Sequence, residues 1–197
     1  MSSLLDLLSQ QIDANTVNQI SRQLGTDSAS TQTAISAALP MIVGALGRNA
    51  SSADGAQALN DALARDHDGS ILNDLQGALS SGDITTMGTK ILEHVLGGKQ
   101  VPVERGVSQV SGLDVNSTAQ LLAMLAPVVM GALGQTKRQN GLDANDLSNM
   151  LNGVQKQADS QLGGMAQLLD LDGDGSMVDD VLDIGSKLLG GLFGGKK

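Results

Sequence analysis

The chain has 197 residues and a net charge of −9, with 12 lysines and arginines against 21 acidic residues. No basic face is available to displace phosphate counterions, so nucleic-acid binding is not expected. Zero Cys excludes disulfides, thiol nucleophiles, zinc–thiolate sites and iron–sulfur clusters. One Phe and no Tyr or Trp require an aliphatic core, in which the eight Met serve as gap-fillers.

The chain opens MSSLLDLLSQQIDAN, with no basic stretch and with Asp6 inside the apolar part, which does not read as a secretory signal. No uninterrupted run of about 18 apolar residues follows, so no spanning helix is expected and the default location is the cytoplasm. Val17, Ile20 and Leu24 then mark one face of a short helix. Gly25 ends it, and Asp27 caps the next helix, which carries Ile35, Leu39, Ile42, Val43 and Leu46. A third helix is predicted over 52–64 with Leu59 and Leu63 inward, then helices over 71–79 and 84–96. Residues 100–103, interrupted by Pro102, are the one extended candidate and read as a linker. Past it, a long helix starts near Asp114 with Leu121, Leu122, Leu125, Val128, Val129 and Leu133 inward. A further helix is predicted over 144–157 with Leu147, Met150, Leu151 and Val154, and an apolar one over 178–193.

The two halves echo each other. Residues 20–47, ISRQLGTDSASTQTAISAALPMIVGALG, align without a gap to 107–134, VSQVSGLDVNSTAQLLAMLAPVVMGALG. Pro40 falls on Pro127, and Gly44-Ala45-Leu46-Gly47 on Gly131-Ala132-Leu133-Gly134. Further on, Asp66-His67-Asp68-Gly69-Ser70 resembles Asp172-Gly173-Asp174-Gly175-Ser176, and Gly88-Thr89-Lys90-Ile91-Leu92 resembles Gly185-Ser186-Lys187-Leu188-Leu189. The expected fold is an all-α duplicated bundle with two buried central helices. A proline inside each predicts a shared kink, because it removes a backbone donor and crowds the preceding turn. The expected organisation is a first repeat over 1–99, a linker over 100–106 and a second repeat over 107–197, packed as one body. The glycine-rich tail, 190–197, is weakly helical by composition.

One segment carries chemistry. Residues 170–181 read Asp-Leu-Asp-Gly-Asp-Gly-Ser-Met-Val-Asp-Asp-Val. Asp170, Asp172 and Asp174 hold positions 1, 3 and 5 of a calcium loop, Gly175 holds the turn at position 6, and Ser176 offers its carbonyl at position 7. Position 12, where a bidentate Glu belongs, is Val181, leaving Asp179 or Asp180 to close a shorter loop. Calcium is therefore the candidate ligand, against the plain alternative of a capped Asp/Gly turn. The first-copy echo lacks the leading Asp, and Asp68 or Ser70 is expected to cap the helix near Ile71 instead. Neither His67 nor His94 has a nucleophile or oxyanion motif beside it, so no enzyme is expected.

The LAPVVMGALG block, the Asp68-Gly69-Ser70-Ile71-Leu72-Asn73-Asp74-Leu75 stretch and the Gly88-to-Lys99 tail together resemble the bacterial family called "domain of unknown function 937", related to the YidB-like proteins. The resemblance covers the chain from about residue 15 onward. It implies a multihelical fold with two buried central helices, a bacterial origin and cytoplasmic residence, and it brings no catalytic residue. The expected role is binding or assembly through a protein partner or self-association, with a calcium loop at 170–180. The rivals are a structural protein with no metal role, or a membrane-surface protein anchored by 185–197.

Overall fold

The structure, a computed structural model, describes residues 4–154. The chain divides into two units, Met1–Lys156 and Gln157–Lys197, and the first is described here. The described residues are all-α, with no strand among them.

The elements are α1 (Leu4–Gln11), α2 (Ala14–Leu24), α3 (Ser28–Asn49), α4 (Ala53–Arg65), a 3₁₀ turn (Ser70–Asp74), α5 (Leu75–Ser80), α6 (Asp83–Leu96), a second 3₁₀ turn (Gly97–Lys99), α7 (Gln100–Ser111) and α8 (Val115–Asn140). A last helix, α9, covers 144–154. Their starts follow from side chains that accept the orphan N–H groups of a first turn. Asp13 accepts from Thr16 N at 2.8 Å, Asp27 from Ser30 N at 2.8 Å, Ser52 from Gly55 N at 3.1 Å and Asp114 from Ser117 N at 3.0 Å. At α9, Asp143 and Asp146 cap each other's backbone, with Asp146 N donating to Asp143 Oδ1 at 2.9 Å and Asp143 N donating to Asp146 Oδ2 at 3.2 Å.

Helix ends are set by glycine. Gly25 and Gly112 both adopt left-handed φ, 67° and 75°, directly after α2 and α7. A residue with a Cβ is strained there. Two residues later stand the caps Asp27 and Asp114. Thr31 and Thr118, both fully buried, return their hydroxyls to the carbonyls of those same two aspartates, at 2.8 and 2.9 Å. The local chemistry thus matches at sequence positions 87 residues apart.

α8 is the centre. Every residue from 121 to 134 is buried. α1, α2, α3, α4, α6, α7 and the Ser70–Asp74 turn all contact it. α6 lies closest, presenting Ile84, Gly88, Ile91, Leu92 and Leu96 as its buried stripe. At Gly88 the two backbones nearly touch, since a side chain there would overlap the Ala123 carbonyl. That carbonyl is free to be approached. Its usual helical donor is the N–H of residue 127, and Pro127 has none. The Gly88 Cα–H therefore points at an oxygen that the helix itself leaves unpaired, a weak but recurrent kind of contact between close helices.

Two expectations change. Residues 100–103 are the first turn of α7, not an extended segment. Pro102 is its third residue, where backbone N–H groups have no intrahelical acceptor and the ring costs nothing. Residues 71–79 form two pieces rather than one helix, because Asp74 takes the Gly77 N–H at 2.9 Å and starts α5 afresh. By length and composition alone, α3 and α8 are long and apolar enough to cross a membrane. Most of α8 is buried inside the body, and a core helix of a soluble protein passes the same test. Pro40 and Pro127 lie within α3 and α8, as placed by the sequence.

Gly88→Ala is expected to lower stability by about 1–3 kcal/mol through overpacking against the Ala123 carbonyl. Leu125→Ala, which empties a fully buried site, should cost about 2–5 kcal/mol. Urea unfolding followed by helical circular dichroism measures both, and an unchanged midpoint for Gly88→Ala would mean that α6 does not approach α8 this closely.

Candidate functional site

The calcium-loop residues Asp170, Asp172, Asp174, Ser176, Asp179 and Asp180 lie outside the described residues, as does the glycine-rich tail. The first-copy echo of that loop, at 66–70, is described in full. It joins α4 to the 3₁₀ turn and sits on the C-terminal half of α8.

The seat is made of glycines. A side chain at Gly134 would overlap the His67 carbonyl, one at Gly131 would strike Ile71, and one at Gly69 would strike the Gln135 backbone. Gly69 also needs its left-handed φ of 95° to make the turn. So Asp68-Gly69-Ser70 and Gly131-Ala132-Leu133-Gly134 are two halves of one joint. Their glycines answer to close packing rather than to a phosphate or a substrate.

The carboxylates of the loop are engaged. Asp68 Oδ1 accepts from Ser70 N at 2.9 Å, and this backbone bond holds its carboxyl below the usual carboxylate range. Its other oxygen lies 3.4 Å from Arg138 Nη1 of α8. Asp66 pairs with Arg65 at 2.9 Å, which lowers its carboxyl in the same way. Asp68 thus folds a local turn onto Ser70, while the cap position of the 3₁₀ turn is Gly69, which carries no side-chain cap. Both ion pairs are exposed and individually weak. Among the described residues no group of three or more His, Asp or Glu converges on a point.

His67 is half-buried, and burial pushes its imidazole below the ordinary value, with Asp66 opposing. His94 is exposed on α6, and its carbonyl accepts a 3.4 Å bond from Asn49, which also donates to the Val95 carbonyl at 3.0 Å. Neither histidine meets a nucleophile.

A family model described as "Bacterial protein of unknown function (DUF937)" matches residues 6–136 and again 137–197. The chain belongs to this family. No curated protein and no solved structure matches it. Membership in DUF937 agrees with the multihelical fold and assigns no activity to any residue.

The sequence reading passes over Glu104. It is 8% exposed on α7, with Gln100 Nε2 donating to it at 2.8 Å. The repeat alignment places it opposite Val17, which is buried in α2. A carboxylate standing where the other repeat has a core valine is visible in the aligned sequences. A second difference lies on the flank of the same helix. In the first repeat, Gln19 and Gln23 of α2 bind the carbonyls of Gln76 and Leu79 in α5, each at 2.8 Å. Their counterparts in α7 are Gly106 and Val110, which have no donor to offer. Val110 is 58% exposed and Val115, just past the turn, 43%.

Glu104→Val should raise the unfolding midpoint, because an apolar side chain, as at Val17 of α2, takes over a buried position that now holds a polar group. A lowered midpoint would show that Glu104 has stabilising partners beyond Gln100. Acidification acts in two windows. The unfolded chain binds a proton at His67 more readily than the folded one, so stability falls as pH drops through about 6.5 toward the lowered folded value. Asp13, Asp27, Asp68 and Asp114, held low chiefly by bonds from Thr16, Ser30, Ser70 and Ser117, contribute stability above about pH 3.9 that is lost as pH falls below it. Urea midpoints across pH 3–8 test this, and His67→Gln should flatten the upper step alone.

Proposed function

We propose that this protein works by binding or assembly rather than catalysis, as a cytoplasmic helical body whose acidic loop at 170–180 takes up a hard divalent cation, calcium first. The observation that carries the reading is a comparison of the two loops. In the first copy, Asp66 and Asp68 have arginines beside them, Arg65 and Arg138. The residue before Asp172, matching Arg65 before Asp66, is Leu171. The second loop also carries more charge, with six aspartates between Asp170 and Asp183 and no basic residue among them. Like charges at that density repel, and a cation from solution supplies the countercharge that Arg65 and Arg138 supply beside Asp66 and Asp68. Alternating aspartates closed by Gly175 and Ser176 offer the oxygen ligands that calcium prefers.

The described body supports the non-enzymatic part of the reading. Its capping aspartates serve backbone groups, and its motif glycines serve packing. Partners are then proteins or further copies of the chain. The exposed Val110 and Val115 favour the second reading, a self-associating protein indifferent to metal. A membrane-surface role through 185–197 has no comparable support among the described residues.

Calorimetric titration of calcium into chelator-stripped protein tests the proposal, with Asp172→Ala as the control. A saturable site lost in Asp172→Ala is expected, together with a stabilisation of about 2.7 kcal/mol when calcium is present at a hundred times its dissociation constant. No heat at millimolar calcium, with an unchanged melting curve, would overturn the cation reading and leave the loop as a capped turn. Sedimentation with and without chelator then separates calcium-linked assembly from association that ignores calcium.

A further inference from the structure

We draw no further inference here: the strongest candidate, the flank of α7 where Val110 and Val115 lie exposed while the matching flank of α2 is covered by α5, is an apolar face with nothing in the structure to show what covers it.

Discussion

The contact on which the fold turns is the one between Gly88 of α6 and the Ala123 carbonyl of α8. Helices of ordinary composition keep their axes 8–10 Å apart because side chains stand between them. Here the absent Cβ of Gly88 and the absent N–H of Pro127 act together. One lets the backbones approach, and the other leaves an acceptor for the approach to meet. A central proline in a buried helix would otherwise strand a carbonyl in an apolar interior, which is costly. The stripe of α6 that follows Gly88 is thereby pressed along α8, and Ile91, Leu92 and Leu96 reach the core. The dispersion gained along that line depends on a separation that any side chain at position 88 would prevent.

The same logic governs the other half of α8. Gly131 and Gly134 admit the segment around His67, Gly69 and Ile71. A stretch that resembles half of a calcium loop and a glycine pair on a core helix are in this protein the two faces of a packing joint. Glycine-rich motifs are easily read as phosphate or metal sites. Which reading holds depends on what the missing Cβ makes room for, and here it makes room for the chain's own backbone.

Much of the architecture was legible in the sequence because it rests on local rules. Gly25, Asp27, Gly112 and Asp114 punctuate the helices, and the apolar spacing of α2, α3, α4, α6, α8 and α9 predicts their buried faces. Pro102 misled because a proline reads as a break unless its position within the first turn is known. Asp74 misled because a competing side-chain cap splits a run that periodicity alone joins. The joint on α8 was not legible at all. It requires knowing that a loop from the first repeat lies on a helix from the second, which no local pattern encodes. Asp68 was legible as a turn residue but not as the helix cap expected of it, and Glu104 becomes visible only when α2 and α7 are aligned and one asks which buried position changed character.

The burial of the middle of α8, residues 121–134, bears on how the chain is born. Residues 1–112 are made before any of α8, and the faces by which α1, α2, α3, α4, α6 and α7 contact α8 then have no partner, although these helices also touch one another. The elements that cover α8 all precede it in sequence, so none of that cover has its partner until α8 is made. The first hundred residues therefore emerge as a shell without its axle. The nascent chain reaches its cooperative state only when the twenty-six residues from Val115 to Asn140 arrive to fill it.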